Sequence, residues 1–156
     1  MPDILDKIFY DKKVELGTVK RKLSLPDVKI LIANNNYKIR DTKTSLKPNE
    51  RSSIIAEIKP RTPFKGELLK KNDPVNIAKI YADNGASALS ILTESRYFGG
   101  SLLTLEKARE YVDIPLLRKD FIFDEYQVYE ARAFGADFFL LIATWLDKNQ
   151  LADLLA

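Results

Sequence analysis

Apolar positions recur at helical spacing near the start of the chain. Ile4, Leu5, Ile8 and Phe9 are separated by three and four residues, as on one stripe of a helix. Val28, Leu31 and Ile32 begin a second, shorter stripe, which Asn34-Asn35-Asn36 interrupts. Residues 1–46 therefore read as helical, and Lys47-Pro48-Asn49 marks a turn. Beyond it the period changes. Ile54-Ile55-Ala56 is a short apolar run of the kind that makes a strand buried on both faces. Asp73 before Pro74 predicts a helix start, with Asp as N-cap and Pro at the first helical position. Val75, Ala78 and Tyr81 or Ala82 form its inner stripe, and Gly85 stops it.

The plan then repeats. Ala88 to Leu92 reads as a strand. Ser101 caps a helix through Tyr111, with Leu102, Leu105, Ala108 and Val112 inward. Pro115 to Leu117 is a third strand, and Asp124 caps a helix that ends at Gly135. Phe138 to Ile142 is a fourth strand, and Asp147 opens a helix that continues to the last residues without a stop signal. This gives a helical extension over 1–50 and four β–α units over 51–156. Alternating strands and helices imply an α/β fold with parallel strands. Two architectures fit: a doubly wound sheet, or the first four units of a (β/α)₈ barrel, which needs eight units and about 250 residues. Sequential strand neighbours would mark the half-barrel; a reversal at the sheet centre would mark the other.

Composition narrows the chemistry. The chain has 156 residues, with no cysteine and no histidine. Disulfides and thiolate metal sites are excluded. The commonest general base and metal ligand is missing too, so acid–base work falls to Glu, Asp, Lys or Tyr. The net charge of +3 is uneven: residues 1–51 hold 12 Lys and Arg against 7 Asp and Glu. A basic flank attracts anions, but these charges are mixed along helical stretches, and no nucleic-acid-binding motif accompanies them. No apolar run approaches the ~20 residues that span a membrane. Residues Met1 to Tyr10 include Asp3, Asp6 and Lys7 and show no signal-peptide core, so the expectation is a cytoplasmic protein.

In either architecture functional groups gather at the C-terminal ends of the strands. Glu57 and Lys59 are two apart, on one face of the first strand, and read as a buried, inward ion pair. Glu94 ends the second strand and Lys119 follows the third. Phe98 and Phe121 are on the same rim and suit an aromatic ring. Two lysines and two carboxylates at one mouth suit a substrate with separate anionic groups; the plainer alternative is charges exposed at a rim and phenylalanines in the core. Gly99-Gly100-Ser101 either offers backbone N–H groups to a phosphate or only caps a helix. The segment Pro60 to Leu68, with two prolines, one glycine and two basic residues, reads as a lid that closes on a ligand. Leu89, Ile91, Leu116 and Phe139 are expected to point inward.

These residues carry a resemblance. Ile55-Ala56-Glu57-Ile58-Lys59, followed by Thr62-Pro63 and Lys65-Gly66, resembles the first-strand motif of indole-3-glycerol phosphate synthases. Leu92-Thr93-Glu94 with Phe98-Gly99-Gly100-Ser101 resembles the second. Pro115-Leu116-Leu117-Arg118-Lys119-Asp120-Phe121, then Gln127, Ala131, Gly135-Ala136-Asp137 and Leu140-Leu141-Ile142, resembles the third and fourth. Ile4-Leu5-Asp6-Lys7-Ile8, with Lys13 and Glu15, is similar to the family's N-terminal helix.

The resemblance implies a TIM-barrel lyase of tryptophan biosynthesis that needs no metal and no cofactor. Its substrate is a small anionic molecule, 1-(2-carboxyphenylamino)-1-deoxyribulose 5-phosphate. It implies Lys119 as general acid, Lys59 as partner of the substrate carboxylate, and Glu57 as the carboxylate that orients the site. It assigns Thr62, Pro63, Glu94, Phe98, Phe121 and Leu140 to substrate contact. Phe64 stands where the family usually has serine. The family's second catalytic glutamate, an asparagine and the main phosphate loops belong to four further units. The chain by itself is therefore expected to be inactive and to associate with itself or with the missing half. The alternatives are a binding or scaffold module, or a related phosphosugar barrel such as phosphoribosylanthranilate isomerase. No nucleic-acid or membrane partner is expected.

Overall fold

The computed structural model describes residues 4–47, 52–69 and 73–155; Pro48 and Asn49 of the expected turn lie outside the described residues. The chain divides into two compact units.

One unit comprises the residues up to Asn36 with Phe121–Ala133 and those from Leu141 onward. Helix α1 (Ile4–Lys22) buries Ile8, Lys12 and Leu16, one residue per turn. This stripe is narrower than the sequence suggests, because Leu5 is exposed. Helix α2 (Leu25–Asn34) starts at a capping box in which Ser24 and Asp27 satisfy each other's backbone N–H. It ends at Asn35, whose amide donates to the Ala133 carbonyl at 2.5 Å. The Asn34-Asn35-Asn36 run is thus a helix end tied to helix α6 (Glu125–Ala133). Phe9 meets Phe123 edge-on at 5.0 Å and stacks with Trp145 at 5.1 Å, where a 3₁₀ turn (Ala143–Trp145) precedes helix α7 (Lys148–Leu155).

The other unit comprises Tyr37–Asp120 and Phe134–Leu140. It holds the short helix α3 (Thr42–Ser45), helices α4 (Pro74–Asp83) and α5 (Leu102–Tyr111), and most of a four-stranded sheet. The strands are β1 (Ile55–Ile58), β4 (Ala88–Leu92), β5 (Leu116–Ile122) and β6 (Phe138–Leu141); two-residue strands β2 (Arg61–Thr62) and β3 (Gly66–Glu67) form a separate antiparallel hairpin. The sheet order is β1-β4-β5-β6, and the β1–β4 and β4–β5 pairs are parallel. Each strand lies beside its sequence neighbour with no reversal. This is the order of the first four β–α units of a (β/α) barrel, not of a doubly wound sheet.

The helix signals sit where the sequence puts them. Asp73 accepts from the Val75 N–H, Ser101 from the Leu103 N–H, Asp124 from the Tyr126 N–H and Asp147 from the Asn149 N–H. Gly85 and Gly135 take left-handed backbone just past α4 and α6, at φ of 89° and 84°. Helix α4 buries Ala78, with Val75 and Ala82 half-buried beside it, and packs on β1, β4 and α5; Tyr81 faces outward.

Two strand expectations change. The first strand is not buried on both faces, since Ile54 and Ile55 are 58% and 44% exposed. Among the described residues it is the end strand of the sheet, with a neighbour on one side only. The third strand does not stop at Leu117 but runs to Ile122, so Arg118, Lys119 and Asp120 are strand residues.

Candidate active site

Alternation along β1 puts Glu57 and Lys59 on one face and Ile58, fully buried, on the other. Lys59 Nζ lies 2.5 Å from Glu57 Oε1. The pair forms as expected, but each side chain is about a third exposed, because β1 ends the sheet. The register extends this face inward. Glu57 pairs with Ser90 and Ser90 with Leu117, while Leu92 pairs with Lys119. Glu57, Lys59, Ser90, Leu92, Leu117 and the half-buried Lys119 therefore share one face. Leu89, Ile91 and Leu116, expected on it, lie on the opposite face and are fully buried; Phe139 is half-buried on β6.

The strand carries three consecutive charges because two of them satisfy each other on that opposite face. Arg118 Nη2 is 3.0 Å from Asp120 Oδ2. The Thr93 hydroxyl donates to the same oxygen at 2.7 Å and accepts from Arg118 Nε at 3.2 Å. All three residues are buried. The triad fixes the backbone on both sides of Lys119 and leaves Lys119 as the charged residue of β5 on the face that bears Glu57 and Lys59. The Lys119 carbonyl is fixed as well, accepting the Thr93 N–H at 3.0 Å.

Glu94, also expected to meet substrate, is turned into its own loop. It is buried, and its carboxylate accepts the N–H groups of Arg96 (2.9 Å), Tyr97 (2.7 Å) and Phe98 (2.9 Å). Three backbone donors on one carboxylate are a strong local anchor, and here they hold Phe98. From the other side Arg61 donates its backbone N–H to the Phe98 carbonyl at 3.1 Å, and its guanidinium reaches the carbonyls of Ser95, at 3.1 Å, and Arg96. Phe98 is half-buried between these ties. Gly100 follows because nothing larger fits: a Cβ there would lie 2.2 Å from the Leu92 carbonyl oxygen. That close approach, with Ser101 as the α5 cap, is the structural content of Gly99-Gly100-Ser101.

The Pro60 to Leu68 segment is the β2–β3 hairpin. Thr62 Oγ1 accepts the Lys65 N–H at 3.0 Å, and the Pro60 carbonyl accepts from Leu68 and Leu69 at 2.7 and 3.1 Å. Thr62 is half-buried, Pro63 exposed, and Phe64 projects from the tip at 82% exposure. Leu140 is half-buried on β6. Phe121 belongs to the other compact unit, where its ring lies 5.3 Å from that of Trp145 and its carbonyl accepts from the Gln127 side chain at 2.8 Å.

The structure thus gathers Glu57, Lys59 and Lys119 on one sheet face, while Glu94 and Thr62 are engaged within their own loops. Sequence reasoning missed Ser90 and Arg61. A lone serine within an apolar strand was the available signal for Ser90. Arg61 offered none, since its partners are main-chain carbonyls more than thirty residues away.

Among the described residues no helix is long and apolar enough to cross a membrane. The sequence profile of the indole-3-glycerol phosphate synthase family matches residues 5–156. The chain is 45% identical to an indole-3-glycerol phosphate synthase of Roseiflexus sp. (strain RS-1), over 100% of the chain and 60% of that protein. It is 47% identical to one from Campylobacter jejuni (strain 81-176), over 97% of the chain and 59% of that protein. It is 45% identical to one from Dehalococcoides mccartyi (strain CBDB1), over 98% of the chain and 60% of that protein. The chain spans about 60% of the length of the curated relatives it matches. On this match, with the sequential parallel order of its strands, the chain belongs to the indole-3-glycerol phosphate synthase family.

Proposed function

We propose that this sequence is the N-terminal part of a cytoplasmic carboxy-lyase that converts 1-(2-carboxyphenylamino)-1-deoxyribulose 5-phosphate to indole-3-glycerol phosphate. The observation that carries the reading is the Glu57–Lys59 pair on the face that also bears Lys119. Lys119 is the general acid: it gives a proton to the ribulose carbonyl oxygen as the ring carbon bearing the carboxylate attacks the carbonyl carbon. Carbon dioxide then leaves from that ring carbon, and water is lost as the hydroxyl of the former carbonyl carbon and a proton of the adjacent nitrogen-bearing methylene, which forms the indole double bond. Lys59 pairs with the substrate carboxylate and Glu57 orients it. Phe98 and Leu140 line the aryl pocket, and Thr62 and Pro63 border it from the hairpin. Glu94 acts through Phe98, which its carboxylate holds. A pocket that strips water from the carboxylate favours decarboxylation.

Residues 1–50 form the helical extension and 51–156 the first four barrel units of the enzyme. The partner of these units is the remaining barrel half, in the same chain or supplied separately. The exposed Ile54 and Ile55 at the β1 edge give association an apolar surface. The experiment is product formation by the full-length enzyme carrying this sequence, followed by indole fluorescence. A phosphoribosylanthranilate isomerase would form no indole product from this substrate, and a scaffold module would leave it unchanged.

A further inference from the structure

Strand β4 reads Ala88-Leu89-Ser90-Ile91-Leu92, with one polar side chain among apolar ones. Ser90 is 4% exposed, and its hydroxyl has no hydrogen-bond partner among the described residues. Burying an unpaired hydroxyl is unfavourable, and native proteins keep few such groups without a use. The register shows what lies beside it. Its same-face neighbours are Leu117 on β5, which has no polar side-chain atom, and Glu57 on β1. Glu57 is held by Lys59 through Oε1 alone; Oε2 has no partner among the described residues. Neighbouring strands run about 4.8 Å apart, a spacing that one water bridges between a serine hydroxyl and the end of a glutamate.

We propose that Ser90 is a positioning residue of this site, whose hydroxyl donates to one ordered water that in turn donates to Glu57 Oε2. Lys59 and the water then grip the two carboxylate oxygens from different sides, so Glu57 keeps one orientation. The inference rests on the catalytic reading of Glu57, Lys59 and Lys119. It explains why a hydroxyl occupies a position where alanine would pack without loss.

Two measurements test it. The first is turnover and thermal unfolding of Ser90→Ala and Ser90→Thr in the full-length enzyme. Ser90→Ala is expected to lower kcat about tenfold, the scale of one lost hydrogen bond, with KM nearly unchanged. Its Tm should equal or exceed the parent's, because a buried hydroxyl without a protein partner is removed. Ser90→Thr, which keeps the hydroxyl, should recover turnover to within about threefold. A merely structural serine would instead lower Tm and kcat together without rescue by threonine, and that result, or unchanged turnover in Ser90→Ala, overturns the proposal. The second is a high-resolution crystal structure of the unsubstituted protein. A water within about 3.2 Å of both Ser90 Oγ and Glu57 Oε2 is expected. Its absence overturns the proposal whatever the activity, whereas absence of indole product from the unsubstituted enzyme overturns the catalytic reading instead.

Discussion

Replacing Asp137 by alanine should strongly destabilise the sheet-bearing unit. The Asp137 side chain is fully buried and accepts four hydrogen bonds. Two come from Arg109 Nη1, at 2.7 and 2.6 Å; the others come from the backbone N–H of Arg40 at 2.8 Å and of Leu116 at 2.9 Å. It thereby joins the segment after α2, the end of α5 and the start of β5. Arg109 itself is 8% exposed and donates to the Gly135 and Lys38 carbonyls. Arg40 sits against the same cluster and donates to the Ile114, Arg109 and Val112 carbonyls. Burial, and the Arg109 charge beside it, hold the Arg40 guanidinium below its ordinary pKa, with Asp137 pulling the other way. Asp137→Ala leaves Arg109 buried without its counter-charge, and breaking such a pair costs about 3–5 kcal/mol. That is a fifth or more of the stability of a typical domain, about 5–15 kcal/mol. At about 2–4 °C per kcal/mol, Tm should fall by roughly 6–20 °C. Urea unfolding followed by circular dichroism measures the cost directly, and the Arg109→Met, Asp137→Ala double variant should lose less than the sum of the singles. A loss below about 1 kcal/mol for Asp137→Ala, or strict additivity in the cycle, would refute the coupling argued from this geometry.

Gly100→Ala should cost at least the upper end of the ~1–3 kcal/mol of ordinary overpacking, because its Cβ would meet the main chain of Leu92 and Thr93, which has no rotamer to yield; an unchanged urea midpoint would contradict the close approach. The 156-residue chain alone should form no indole product and should elute as dimers or larger species in size-exclusion chromatography; a fully active monomer near 17.8 kDa would show that Lys59 and Lys119 work without the further barrel units.

Local signals were legible because each acts within a turn of chain. Asp73-Pro74, Ser101 and the left-handed Gly85 and Gly135 need no distant partner to declare a helix end. Strand β4 was legible to the residue, as an apolar run bounded by Gly85 and Thr93-Glu94. Strand faces were not legible, because alternation fixes faces only within one strand. Carrying the Glu57 face onto β4 needs the register, and the register selects Ser90 and Leu92 over the more apolar Leu89 and Ile91. The length of β5 was hidden because Arg118-Lys119-Asp120 resembles a solvated rim; Thr93, twenty-five residues earlier than Arg118, is what makes it interior. The β2–β3 hairpin is too short to show a period. Arg109 carries no local signal of its burial, because its partner Asp137 lies 28 residues further on. At the site, the Glu57–Lys59 pair followed from their two-residue spacing. The turning of Glu94 into its own loop did not, because it depends on the path of the Arg96 to Phe98 backbone.

The central claim is that Lys119 is the proton donor of a ring-closing decarboxylation. Its most direct test is single-turnover kinetics of Lys119→Ala in the full-length enzyme, with substrate affinity measured in parallel. Removing a general acid costs about 10²–10⁴-fold in rate, so indole-3-glycerol phosphate formation should fall by at least about a hundredfold. Affinity should change little, because Arg118, Asp120 and Thr93 hold the strand from its other face and Lys59 still meets the carboxylate. Turnover within about tenfold of the parent would contradict the assignment of Lys119 and, with it, the catalytic reading of this sheet face.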